Sequence, residues 1–273
     1  MLNSKKATIV STFAAAGILF SAIAPVANAA LPTLTPGVIT IGTDDPAYGP
    51  WFDSNTPSNG KGFESAVAFA VAKQLGYPAS KVKWVKASFN SVIQPGKKSF
   101  DFDINQISIT DERKKVVDFS TGYYDVAQAV VSVKGSSIAK ATKISDLSKV
   151  ALGAQVGTTS LATINSVVKP AKKVSVYDSN DLATAALTAG QIKGLVVDLP
   201  TAFYIAATAK NAILVGQFPA QAKSEQFGLV LAKGSALTAK VSAAVDALRA
   251  NGTLKKIADK WLANVGGAPV FKK

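Results

Sequence analysis

The chain has 273 residues, no cysteine and no histidine, and 30 Lys and Arg against 17 Asp and Glu, a formal net charge of +13. Those counts exclude disulfides and thiol chemistry and remove the commonest general base and metal ligand, leaving carboxylates, Lys and Tyr for acid/base work. The excess of Lys first suggests nucleic-acid binding, but short clusters such as Lys97-Lys98, Lys172-Lys173 and Lys255-Lys256 do not alternate with aromatics, so a solvated positive surface facing anionic envelope polymers or lipid headgroups fits better.

The chain opens like an export signal. Lys5 and Lys6 give a positive start, 9–23 is largely apolar, and Ala27-Asn28-Ala29 is a small-x-small cleavage site. Cleavage there leaves about 244 residues with a net charge of about +11. No Cys follows the apolar run, so no lipid anchor of the diacylglyceryl-cysteine type is expected, and the mature protein is expected in the periplasm or on the extracellular face. The next most apolar stretch, 182–208, is broken by Gln191, Lys193, Asp198 and Pro200, and does not read as a membrane span.

After an extended lead-in at 32–37, a short apolar strand at 38–42 runs into a polar loop, 43–59, that carries three prolines, three aspartates, Tyr48, Trp51 and Phe52. Phe63, Val67, Val71 and Leu75 fall on one face of a helix that stops at Gly76, a residue suited to the position past a helix end. A strand at 81–85, a short helix at 88–93, a strand at 102–107 and a short helix to Val117 follow, the alternation of a doubly wound parallel sheet. Beyond a β-rich run at 127–133, a second series begins with a strand at 150–152. It continues with a helix at 160–168, a strand at 173–177, a helix at 182–187, a strand at 195–198, a helix from Pro200 to Ala209 and a strand at 213–215. A strand at 226–231 and helices at 236–248 and 254–262 close the chain.

Those last helices need a sheet to cover. Returning the chain through 226–231 to the first unit makes two strands cross between two α/β lobes, which gives a two-strand hinge and a cleft. The expected organisation is a signal at 1–29, lobe 1 at 30–129, lobe 2 at 130–227 and the rest of lobe 1 at 228–273.

Polar groups collect where strands end. Ser108, Thr110 and Arg113 lie where a strand hands over to a helix, and a guanidinium beside hydroxyls and helix N–H groups is a receptor for a carboxylate. Alternatively Arg113 pairs with Asp111 or Glu112 on a solvated turn. Gly157-Thr158-Thr159-Ser160 opens a helix and either receives an anion or is an ordinary N-cap; it lacks the spacing and Lys of a phosphate loop. Asp198 either accepts from an ammonium group or caps the Pro200 helix. Tyr48, Trp51 and Phe52 either stack on a ligand or seal their own loop, and Phe89 is cleft wall or core. Asn251-Gly252-Thr253 matches a glycosylation acceptor, but an Asn-Gly turn accounts for it.

Six segments, taken in order, carry a resemblance: IGTDDPAYGPWF at 41–52, GKGFESAVAFAVAKQLG at 60–76, DFDINQISITDERKKVVDFSTGYY at 101–124, VALGAQVGTTS at 150–160, GLVVDLPTAFY at 194–204 and NGTLKKIADKW at 251–261. Together they resemble the extracytoplasmic solute-binding proteins of ABC-type amino-acid importers, the polar amino-acid family with a type II periplasmic-binding fold. The resemblance implies a monomeric, noncatalytic receptor that needs no cofactor or metal. It would take a free amino acid, polar or basic, into the cleft and deliver it to the membrane permease subunits of an importer. It further implies that Arg113 and Thr158-Thr159, with Ser108 assisting, hold the ligand carboxylate, and that Asp198 and groups around Gln106 hold the ammonium. Tyr48 and Phe89 would sandwich the ligand side chain with Trp51 flanking, and Asp45 stands where relatives selective for basic amino acids keep an acid. Gln106 replaces a small hydroxyl residue and brings an amide into the site, while GFES at 62–65 lacks the second acid of the usual motif. Two other classes stay open: a dehydratase-like enzyme using Asp198 or Asp45 as its acid, and a ligand-sensing or surface interaction module.

Overall fold

A computed structural model describes residue 1 and residues 31–220, 224–263 and 265–273. The export signal read at 1–29 therefore lies, Met1 apart, outside the described residues. Ten strands run in the order β1 (Ile39–Thr43), β2 (Val82–Lys86), β3 (Phe102–Asp103), β4 (Val117–Val126), β5 (Gln128–Val133), β6 (Leu152–Gln155), β7 (Ser175–Tyr177), β8 (Gly194–Asp198), β9 (Ala212–Gln217) and β10 (Glu225–Ala232). Between and after them come α1 (Phe63–Gln74), α2 (Phe89–Val92), α3 (Asp111–Lys114), α4 (Ile144–Leu147), α5 (Thr159–Thr163), α6 (Asn180–Thr188), α7 (Leu199–Thr208), α8 (Thr238–Ala250) and α9 (Thr253–Trp261). No helix among the described residues is long and apolar enough to cross a membrane.

The strands form two mixed five-stranded sheets, ordered β2-β1-β3-β10-β4 and β7-β6-β8-β5-β9. In each, one strand runs against the other four: β10 is antiparallel to β3 and β4, and β5 to β8 and β9. Every residue of β1 is buried, as a central parallel strand covered on both faces requires. Phe63, Val67 and Val71 of α1 reach the core of the first sheet, where α8 and α9 supply Val241, Val245, Leu248 and Leu254. The second sheet carries one apolar cluster around Leu187, Leu195 and Ile205 and another around Leu147, Leu152 and Phe271. The helices at the end of the chain thus cover the first sheet, and β10 is the strand that brings them back.

Three details differ from the sequence reading. Residues 117–126 form a long strand, whereas the reading places only a helix end there; the pairing of β4 with β10 shifts register around Gly228, and the burial of β4 is correspondingly irregular. That irregularity hides the period of two on which recognition of a strand depends. Second, β3 is two residues long rather than six, because Gln106 takes a left-handed φ of 49° and leaves the ladder. Third, 228–273 does not stay wholly with the first sheet. Val270 bridges to Gln217 of β9, the Lys272 N–H donates to the Thr142 carbonyl at 2.9 Å, and Phe271 packs against Phe218 with ring centres 5.6 Å apart. A tail with one large aromatic carries too little pattern to show which sheet edge it will cover.

The chain passes between the sheets twice. Only Ala127 separates β4 from β5, and 218–224 joins β9 to β10. These are the two joints between the sheets.

Candidate functional site

The cleft between the sheets is bounded by residues just past the carboxyl ends of β1, β3, β6, β7 and β8, where ligands of open α/β sheets collect. It encloses about 150 Å³, a space for one small solute rather than a polymer. Arg113, Ser108, Thr158, Thr159, Asp198, Gln106, Tyr48, Phe89 and Asp45 all line it; Trp51 does not.

The local structure of α3 places Arg113. Thr110 caps the helix, its hydroxyl oxygen accepting from the Arg113 N–H at 3.2 Å, and the side chain turns back under the strand end. Nη1 donates to the Ser108 carbonyl at 2.6 Å and Nη2 to the Gly157 carbonyl across the cleft at 2.9 Å, while the guanidinium lies 5.4 Å from the centre of the Phe89 ring. It is 8 % exposed and pairs with neither Asp111 nor Glu112; Asp111 instead faces Lys114. Burial lowers the Arg113 pKa from its usual range, and the nearby Glu225 and Asp198 pull it back up. Two of five guanidinium N–H donors are committed to carbonyls. The others remain for an anion.

On the facing sheet, Thr158 is a helix cap, its oxygen accepting from the Leu161 N–H at 3.1 Å and its hydroxyl donating to the Gln155 carbonyl at 2.7 Å. Its contribution to the cleft is therefore to fix the backbone where α5 begins. Thr159 stands 3.3 Å from the Ser108 hydroxyl, oxygen to oxygen across the cleft. Asp198 precedes α7 without making a side-chain cap; its carboxylate accepts from Gln128 Nε2 at 2.7 Å. Burial raises the Asp198 pKa well above the usual carboxylate range, and Glu225 pushes it further in the same direction.

Asp45 is otherwise engaged. Lys86 and the Asn55 amide both donate to it, and these bonds hold its pKa below normal. Asp44, its neighbour, has an Oδ2 accepting from the Phe89 N–H at 3.2 Å and lines the same wall. Gln106 likewise differs from expectation. Its backbone N–H and its side-chain amide both donate to Glu64, so the residue lines the cleft with its amide NH2 turned toward α1.

Trp51 belongs to the core, fully buried against Phe63, Tyr124 and Phe227. Its loop docks onto α1: the Phe63 and Glu64 N–H groups donate to the carbonyls of Pro50 and Trp51, and a side chain at Gly62 would come within 2.4 Å of the Trp51 oxygen. The Trp51 indole nonetheless reaches the other sheet, donating to Thr201 Oγ1 at 3.0 Å. Close by, Tyr48 stacks on Tyr204 at 6.2 Å and its oxygen accepts from the Asn180 amide at 2.8 Å. These contacts tie the loop after β1 to the second sheet.

Sequence reasoning missed Asn180, Thr201, Tyr204, Gln128 and Glu225. Their partners lie more than 90 positions away, except that Gln128 also meets Asp198, 70 away, and Thr159 and Ser160, about 30 away. It also missed Asp178 and Asp181, two exposed carboxylates at the cleft mouth flanking Ser179, the α6 cap. The cleft therefore gathers Asp44, Asp45, Asp178, Asp181 and Asp198 around one cation, Arg113, within a chain of net charge +13.

The family model for bacterial extracellular solute-binding proteins, family 3, matches residues 39–264. The chain is 33% identical over 224 residues to the L-arginine-binding protein of Pseudomonas aeruginosa, covering 79% of this chain and 84% of that one. It is 30% identical over 218 residues to the ABC transporter glutamine-binding protein GlnH of Bacillus subtilis, covering 77% of each. Among solved structures, an ancestral arginine-binding protein bound to arginine superposes with a TM-score of 0.68 at 30% identity, covering 82% of this chain and 98% of that chain.

Proposed function

The chain belongs to the bacterial extracellular solute-binding proteins of family 3, and from that premise we propose that it captures a free amino acid with a cationic side chain and delivers it to an ABC-type importer. The observation that carries the choice of side chain is the inversion of charge in the cleft, where, with Asp45 paired to Lys86, Asp44, Asp178, Asp181 and Asp198 still outnumber the one arginine among the described lining residues although the chain as a whole is strongly basic. Closing two sheets on an excess of carboxylate is unfavourable unless a cation enters with them. An amino acid with one carboxylate and two cationic groups supplies that.

In this reading Arg113 holds the α-carboxylate with its uncommitted N–H donors, beside Ser108 and the backbone at the start of α5. Asp198 receives the α-ammonium. The side chain passes between Tyr48 and Phe89, and its cation lies toward Asp44, Asp178 and Asp181; Asp45 is excluded by its pairing with Lys86. The relative named for L-arginine supports this class, and the one named for glutamine marks the alternative of a neutral polar side chain. The protein works outside the cytoplasm and its partner is a membrane permease, which recognises the closed form.

Titration calorimetry against the twenty amino acids tests the proposal. Arginine, lysine or ornithine should bind at about micromolar Kd or tighter, with glutamate silent. Preference for an acidic or apolar amino acid would sink it. The shut cleft adds a second expectation. Thr201→Val keeps the shape but strands the buried Trp51 N–H whenever the sheets close, and should weaken ligand binding by about 1 kcal/mol, roughly fivefold, without touching the ligand. Unchanged affinity in that variant would mean the Trp51 contact does not hold the closed form.

A further inference from the structure

Behind the cleft wall, two polar residues stand where the chain passes between the sheets. Gln128 is the first residue of β5 and Glu225 the first of β10, so each directly follows one of the two joints. Gln128 is 4 % exposed, and neither residue lines the cleft. Their hydrogen bonds nevertheless run straight to groups that do. Gln128 Nε2 donates to Asp198 Oδ1 at 2.7 Å and approaches both Glu225 oxygens at 3.2 Å and Thr159 Oγ1 at 3.4 Å, while its carbonyl accepts from the Ser160 hydroxyl at 2.6 Å. Glu225 in turn accepts from the Ser108 hydroxyl.

An amide nitrogen has two N–H donors. Here they serve two carboxylates, one on each sheet. A buried carboxylate held beside a second one does not ionise freely, and Asp198 is the buried member of this pair; a proton or a nearby cation must offset its charge. Arg113 is the cation near both. It is also the group that a ligand carboxylate would engage, so in the liganded cleft its charge is divided.

We propose that Glu225 and Gln128 are the positioning pair of the ammonium subsite: Gln128 holds Asp198 beside Glu225 so that Asp198 keeps a proton when the cleft is empty, and the arriving ligand ammonium displaces it. The proton leaves to solvent, and the ammonium takes its place as the positive partner. The charged and titratable groups facing Asp198 are Glu225 from β10, Arg113 from α3, Glu64 from α1, Tyr48 from the loop after β1, and Tyr123 and Tyr124 from β4. Glu225 is the strongest charge among them in raising Asp198, second only to burial, and the Gln128 bond opposes both.

The inference rests on the amino-acid receptor reading, and its test separates the two. Calorimetry with L-arginine in buffers of different ionisation enthalpy counts protons released on binding, across about pH 5 to 8. The wild-type protein should release close to one proton per ligand at the acid end and progressively fewer as pH rises. Glu225→Gln keeps the shape and the Ser108 contact but removes the charge, and should move that release about one pH unit or more toward acid, with affinity at the alkaline end reduced by about tenfold. Gln128→Ala, which removes the bond favouring ionised Asp198, should move it the other way. Opposite displacements distinguish charge coupling from a loss of packing, which would weaken binding without moving the proton curve. Release curves that superpose for wild type and both variants overturn the proposal. A wild-type protein that binds arginine without releasing any proton over the whole range also overturns it while leaving the receptor reading intact; failure to bind any amino acid overturns both.

Discussion

Replacing Arg113 with alanine is expected to weaken amino-acid binding by about a thousandfold, or about 4 kcal/mol, the largest loss of any single substitution in the cleft. The guanidinium is 8 % exposed and braced by two carbonyls, one from each sheet, at 2.6 and 2.9 Å. Its orientation is therefore fixed before a ligand arrives, and little entropy remains to be lost when the α-carboxylate engages. A charge-assisted bond to such a group contributes about 1.5–3 kcal/mol, and a bidentate pair contributes two. Alanine also removes the bond to the Gly157 carbonyl and so loosens the closed form. Arg113→Lys discriminates charge from shape: it retains the cation but loses the fork and the contact to one carbonyl, and is expected to fall between the other two proteins, roughly thirtyfold weaker than wild type. Calorimetric titration with arginine measures all three, and affinity in Arg113→Ala within tenfold of wild type would remove Arg113 from the carboxylate site.

The prominence of Arg113 was legible in the sequence because its neighbours in the chain are also its neighbours in space. Thr110, Ser108 and the helix start lie within five positions, so local pattern alone described most of what places its side chain. The alternation of strands and helices was readable for the same reason, and the return of the chain through β10 followed from helices that had no other sheet to cover. Asp45 shows the opposite case. Asp44 and Asp45 are chemically identical and adjacent, and what separates them is Lys86 and Asn55, which arrive from other parts of the fold. Trp51 failed for a different reason: an aromatic in a polar loop suits a cleft wall as well as a core, and only the docking of its loop on α1 decides for the core. Gln106 does line the cleft, but nothing in the local sequence reveals that Glu64, 42 positions earlier, receives its amide.

That carboxylate gives the second large effect, a fall in stability as pH rises. Glu64 is fully buried in the first turn of α1 and accepts from the Gln106 backbone N–H, the Gln106 side-chain amide and the Tyr123 hydroxyl. Burial raises its pKa from 4.5 to about 7, the three donors offsetting part of that rise. A folded-state pKa above the unfolded one means that the folded protein binds the proton more tightly. The resulting stability is fully present below about pH 4.5 and is lost as pH climbs to about 7, for a total of about 3 kcal/mol at 1.36 kcal/mol per unit. Asp103 and Asp198, whose pKa values burial also raises, act in the same direction. The wild-type protein should therefore unfold at lower urea concentration at about pH 8 than at about pH 5, and Glu64→Gln should remove most of that difference. Glutamine keeps one oxygen for the Tyr123 hydroxyl and the Gln106 N–H, and the Gln106 amide can turn over to accept from the new NH2, so the variant retains the contacts and loses only the titration. A pH dependence identical in the variant would place the effect on Asp103 and Asp198 instead. Because Glu64 also holds Gln106 in its left-handed conformation at the cleft wall, the substitution that flattens the stability profile is the one expected to leave the shape of the amino-acid site in place.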